Sequence, residues 1–178
     1  MGFSTRSHGS GFKLGHSLKQ WAKGWLSRKP HFIIGDRCLL RWYVIPRNPW
    51  LNVYLHKFLH DDEDRALHDH PWWFISVMLK GEYWEVVNER FIEDSSTYSE
   101  WVSRTAPSIA FRKATHAHRV VLERNDNQQP MPCWTLVITG RVIRDWGFHC
   151  PQGWRHWKEF TAYNDGKGDY GQVGRGCD

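Results

Sequence analysis

The sequence predicts an all-β domain, a barrel or sandwich preceded by a short helical arm, on three observations. From about Phe32 to Phe160, short runs rich in Val, Ile, Tyr, Phe and Trp alternate with turn residues roughly every ten positions. This stretch contains no long helical period and no internal repeat, which excludes the alternating βα classes. The chain has 178 residues, the length of one domain, and can bury a core without disulfides or metal.

In chain order, residues 1–15 are rich in Ser, Gly and His and read as disordered. Leu18, Trp21, Trp25 and Leu26 then fall at helical spacing, so a short basic amphipathic helix is expected over 17–29, with Ser17 as N-cap and Gly24 weakening it. Strands are expected over 38–45, 52–59, 72–79, 83–87, 108–112, 118–122 and 133–139. Lys80-Gly81 reads as a two-residue hairpin turn, which would pair Met78 with Tyr83 and Ser76 with Glu85. The tail has five glycines between Asn164 and Asp178 and little to bury. The expected division is therefore an arm (1–30), a β domain (31–163) and a flexible tail (164–178).

The net charge of +5 is unevenly placed. Arg6, Lys13, Lys19, Lys23, Arg28 and Lys29 lie in residues 1–30 without a single acid, so the remainder sums to −1. A basic arm with two tryptophans either docks on the body or contacts an anionic membrane or nucleic acid. The body itself is not basic enough to coat nucleic acid. No apolar run has the length of a transmembrane helix, and none near the N-terminus resembles a signal peptide, so a cytoplasmic chain is expected. Cys38, Cys133, Cys150 and Cys177 lack the short paired spacing of zinc or redox motifs and read as reduced and structural. G-x-S-x-G, P-loop and dinucleotide motifs are absent, which leaves nucleophilic hydrolysis and phosphate cradles without support.

Histidine carries the chemistry. The chain has eleven, four of them in two pairs, His68-Asp69-His70 and His116-Ala117-His118. Residues two apart on a strand share a face, so an H-x-H pair aims two imidazoles at one point, as a metal requires. The same alternation would place Trp72, Phe74, Ser76 and Met78 on the face of His68 and His70, with Tyr83 and Glu85 beside them.

The stretch from His68 and His70 through Phe74 to Gly81 resembles the first motif of the cupins, and Pro107 through His118-Arg119-Val120-Val121 loosely resembles the second. The wider runs around Leu55–Phe58, Leu67–Trp72, Trp134–Gly140 and Trp146–Phe148 look like small cupin-like proteins of phage and bacterial genomes. The resemblance implies a double-stranded β-helix, or jelly roll, with one divalent metal in the barrel mouth held by His68, His70 and His118. Two departures stand out. Phe74 occupies the position of the cupin Glu ligand, and the Gly two residues after the motif's Pro is missing, which leaves His116 open as an alternative to His118. Loss of the Glu makes the implied site similar to the three-histidine face of cysteine dioxygenase-like cupins. Fe(II) is the favoured ion, with Zn, Ni, Mn or Cu also compatible with three imidazoles. Tyr83 or Glu85 would position or deprotonate a small-molecule substrate, and Glu85, His116 or Asp64 would reach the metal or orient its ligands.

Around the mouth, Arg65, Arg112 and Arg144 are candidates to hold an anionic group, with Trp72 and Phe74 as walls. His56 could reach the same cavity as a hydrogen-bonded core residue. A second metal reading takes His60 and Asp62 as part of the two-histidine, one-carboxylate set of a 2-oxoglutarate-type oxygenase. Three functions compete: a metal-dependent oxidoreductase, a non-enzymatic binding module whose jelly roll holds a ligand while the arm docks to a partner or membrane, and a metal-free isomerase using His and Tyr as acid and base; a homodimer is compatible with the sequence.

Overall fold

The computed structural model describes residues 14–35, 37–62, 66–91, 97–161 and 174–178. A helix, α1 (Leu14–Ser27), precedes twelve strands: β1 (Phe32–Ile34), β2 (Leu39–Tyr43), β3 (Asn52–Phe58), β4 (Leu67–His68), β5 (Phe74–Lys80), β6 (Glu82–Phe91), β7 (Thr97–Thr105), β8 (Ser108–Arg112), β9 (Arg119–Leu122), β10 (Cys133–Thr139), β11 (Gly147–Cys150) and β12 (Gly153–His156). A single helical turn, α2 (Trp157–Phe160), follows. The all-β expectation with an N-terminal helix is met.

One sheet has the order β1-β2-β3-β10-β5-β8. Two three-stranded sheets, β7-β6-β9 and β12-β11-β4, make the opposing layer. They are joined by a bridge in which the amide of His68 donates to the carbonyl of His118 (2.9 Å) and that of His118 to the carbonyl of His68 (3.0 Å). This seam turns the second layer into a continuous run across the barrel.

The β5–β6 connection differs from the expected hairpin. β5 pairs with β10 and β8, whereas β6 pairs with β7 and β9, so Met78 and Ser76 are not partners of Tyr83 and Glu85. Gly81 is instead a corner at which the chain crosses from one layer to the other. Its φ is +82°, and a Cβ there would lie 2.9 Å from Cys133 Cβ.

The helix starts at Leu14, so Ser17 lies within it and does not cap it; Leu14 stands four residues before Leu18 and extends the same period. The indole N–H groups of Trp21 and Trp25 both donate to Tyr43 O (2.9 and 2.8 Å), and His31 Nε2 lies 2.8 Å from Trp21 O. Gly24 has a packing reason: a Cβ at that position would lie 2.2 Å from the His31 ring. The arm's helix is thus docked on β2, while residues 1–13 fall outside the described residues.

The reading of four reduced cysteines is corrected. Cys150 and Cys177, 27 residues apart, form a disulfide, and Cys38 and Cys133 are not disulfide-bonded. The absence of a short spacing excludes a redox motif but says nothing of a bond between β11 and a returning tail. Residues 174–178 are also tied by the amides of Gly174 and Gly176 to Phe160 O (both 3.1 Å) and by Arg155 to Gly176 O (2.8 Å). This end of the expected flexible tail is held on the body; 162–173 lie outside the described residues.

Two buried clusters fill the barrel. One contains Leu39, Phe58, Met78, Tyr83 and Leu122 with Cys133; the other contains Ala66, Phe148, Cys150 and Phe160. Between the layers lies a cavity of about 360 Å³.

Candidate metal centre

The seam positions the histidines. Directly opposed residues of an antiparallel pair share a face, so the His68–His118 bridge brings both imidazoles to the inner side, and His70 joins them two residues on. One ring nitrogen from each of His68, His70 and His118 lies within 4.8 Å of the others. His70 Nε2 and His118 Nε2 are 2.8 Å apart. Two nitrogens bound at right angles to an ion at about 2.1 Å would stand about 3 Å apart, so the spacing suits coordination. All three line the cavity.

The protonation states also fit. Burial, then the neighbouring His118, pushes His68 down to about 3, and burial with the surrounding histidines and Arg41 holds His70 well below its ordinary value. Both are neutral at physiological pH, the form a metal binds. His118 Nδ1 is 2.8 Å from Glu85 Oε1. An ionised carboxylate can only accept, so Nδ1 carries the proton and Nε2 presents its lone pair to the cavity.

Glu85 is 2% exposed and surrounded by donors. Arg104 Nε donates to Oε2 (3.0 Å), Arg112 Nε donates to Oε1 (2.9 Å), and Arg112 Nη2 also bonds Oε2. His116 Nε2 lies 3.2 Å from Oε1. Burial alone would raise the carboxyl, but the bonds from His116, His118 and Arg112 outweigh it and hold Glu85 well below the usual carboxylate range. Glu85, His116 and His118 form a second group of suitable spacing. Two guanidinium groups already on Glu85 oppose a further cation there, so the three-histidine group is the better site.

Several sequence candidates take other places. Arg112 does not reach the cavity as a substrate anchor, because it is paired with Glu85. Arg144 is paired with Asp69 (3.0 Å) and directed at the carbonyls of His70 (3.3 Å) and Ala114 (3.4 Å), where it braces the His68–His70 segment from behind. Asp69 itself accepts from Gly147 N–H (2.9 Å) and the Trp154 indole (3.1 Å). His116 closes a turn through its amide to Lys113 O (3.0 Å) and does not line the cavity. Glu85 is likewise absent from the lining, which removes it as a base. Tyr83 does line the cavity, but burial and then the charge of Glu85 push its phenol up to about 12, so it is a hydrogen-bond donor. Trp72 and Phe74 are walls, as expected, and the Phe74 ring stands 4.7 Å from His70 edge-to-face. Asp64 and Arg65 lie outside the described residues.

The His60/Asp62 reading gains no support from the geometry, although Asp62 lines the cavity. His60 is exposed and does not line the cavity, whereas Asp62 Oδ2 accepts from Val120 N–H (2.7 Å). Asp61 Oδ1 likewise accepts from Leu122 N–H (2.7 Å), and the acidic run serves as a strap on β9.

Two facing antiparallel layers, with histidines from the seam turned into the space between them, decide the architecture. The fold is a double-stranded β-helix. Solved structures similar to this chain include a double-stranded β-helix protein from Klebsiella pneumoniae, at 15% identity over 66% of this chain and 89% of that one, with a TM-score of 0.43. A cupin superfamily protein from Desulfitobacterium hafniense matches at 11% identity over 62% of this chain and 84% of that one, TM-score 0.43. The DMSP lyase DddQ from Ruegeria pomeroyi matches at 15% identity over 66% of this chain and 54% of that one, TM-score 0.44. No family model matches the sequence, and no curated protein matches it.

Sequence reasoning missed Arg41, which meets His56 in the cavity wall. Both line the cavity, and Arg41 Nε donates to His56 Nε2 (2.8 Å). The available signal was parity: Arg41 alternates with Leu39 and Tyr43 on β2, and Leu39 is buried.

Proposed function

We propose that this cupin is a mononuclear metal-dependent enzyme acting on a small polar substrate, with Fe(II) the favoured ion and a dioxygenase-like oxidation the favoured reaction. The observation that carries the reading is the convergence of His68, His70 and His118 nitrogens on one cavity, with the far nitrogen of His118 held by Glu85. A bound ion would supply Lewis acidity and orient a coordinated donor atom. The protein's own groups set the conditions. Glu85 fixes the His118 tautomer, and Arg104 and Arg112 keep Glu85 ionised. Phe74 fills the side on which a cupin carboxylate would stand, leaving three neutral ligands and no protein anion among them. Tyr83 offers a proton in a hydrogen bond to a substrate atom.

The test is elemental analysis of the purified full chain, anaerobic Fe(II) loading, and oxygen uptake against small thiols, amino acids and sugars. One ion per chain, lost in His68→Ala and His118→Ala, with substrate-dependent uptake is the expected result. Metal-free protein from a metal-replete preparation, or binding unchanged in His118→Ala, would overturn it. Stoichiometric metal without uptake would reject the oxidative activity and favour a binding module.

A further inference from the structure

We infer that Arg41 is an anion anchor and that the cavity takes a small organic monocarboxylate with an apolar body. The argument starts from charge pairing. Arg104 and Arg112 pair with Glu85, Arg124 with Asp61, and Arg144 with Asp69. Arg41 also reaches the interior, yet no carboxylate among the described residues pairs with it. Its Nε donates to the neutral His56, and its guanidinium lies 4.7 Å from the centroid of Tyr54. Neither contact cancels a full charge, and no described group accepts from its two terminal nitrogens. Those nitrogens present the fork that matches a carboxylate in two parallel hydrogen bonds.

A second observation points to the same wall. Thr135 stands opposite His56 in the β3–β10 register, is 1% exposed and lines the cavity, and its Oγ1 has no hydrogen-bond partner. A buried hydroxyl left this way is costly unless a ligand or water meets it. Phe58, Phe74, Val137 and Phe148 give the lining an apolar share that would cover the body of the ligand, while the lining's carboxylate, Asp62, is engaged by the Val120 amide. Arg41 lines the same cavity as His68, His70 and His118, so an anion on Arg41 would extend toward the histidines. The inference deepens the proposed function by giving its substrate class, and rests on that reading only for the direction of the ligand's far end. Anchoring itself needs no metal.

Benzoate and benzamide test it, since they share a shape and differ in charge. Binding of each is measured by calorimetry on the full chain, both stripped of metal and loaded with Zn(II). Benzoate should bind both forms, with benzamide at least about tenfold weaker. Arg41→Met should weaken benzoate to the level of benzamide, Arg41→Lys should recover part of the difference, and both should retain Zn(II). Equal binding of the two probes, no binding of benzoate, or undiminished benzoate binding by Arg41→Met would overturn the anchor. The comparison on the unsubstituted chain keeps the test decisive if the variants do not fold. Arg41-dependent benzoate binding in a chain that takes no metal would instead sink the metal reading and leave the anchor standing.

Discussion

Glu85 shows how one buried carboxylate organises a site without entering it. Its oxygens collect two guanidiniums and two imidazoles, and only His118 passes the effect to the cavity. Glu85→Gln keeps the shape and removes the charge. Metal affinity should fall about 10- to 100-fold by calorimetry, as is usual when the partner of a ligating histidine is lost. Urea unfolding should show a stability loss on the order of 3–5 kcal/mol, because Arg112 is left without its counter-ion. His116→Ala is the control: it touches the same carboxylate but lies off the cavity, and metal affinity should be unchanged. The histidines were legible in the sequence because two-residue spacing on a strand has a fixed geometric meaning. Arg41, Arg112 and Arg144 were not, because a cation's role depends on whether the fold brings a carboxylate to it: Arg112 and Arg144 meet Glu85 and Asp69 from elsewhere in the chain, and Arg41 meets none among the described residues.

At the scale of elements, corners and clamps matter more than strand interiors. Gly81→Ala meets both a positive φ and a close approach to Cys133, and should destabilise the protein by about 1–3 kcal/mol in urea unfolding. Thiol titration of the unfolded, unreduced chain should find two reactive thiols, those of Cys38 and Cys133; four would contradict the Cys150–Cys177 bond. Strands with apolar alternation, such as β3 and β10, were readable from sequence. β7 was not, because its exposed residues include Tyr98 and Trp101 and its pattern has no buried stripe. β4 has two residues and exists through its partners β11 and His118. The inward side of Glu85 was reached by alternation across a hairpin that does not form; β6 faces the interior through pairing with β9, where Glu85 stands opposite Val120.

For the whole molecule, the candidate ligands come from both sides of the seam between the two halves of the second layer, so an ion would act as a cross-link. At a metal concentration a hundredfold above Kd, stabilisation of about 2.7 kcal/mol is expected. For a chain of this size that corresponds to a rise in Tm of about 5–10 °C, reversed by chelation and absent in His70→Ala. Calorimetric scans with and without Zn(II) check it.

The reciprocal bridge between His68 and His118 separates two kinds of inheritance. The barrel is closed there by amide and carbonyl groups, which every residue except proline supplies in full, while the proposed chemistry belongs to the imidazoles. Replacing either side chain can therefore retire one activity and admit another without reopening the wall. A position built this way lets a lineage change its reaction while keeping its architecture.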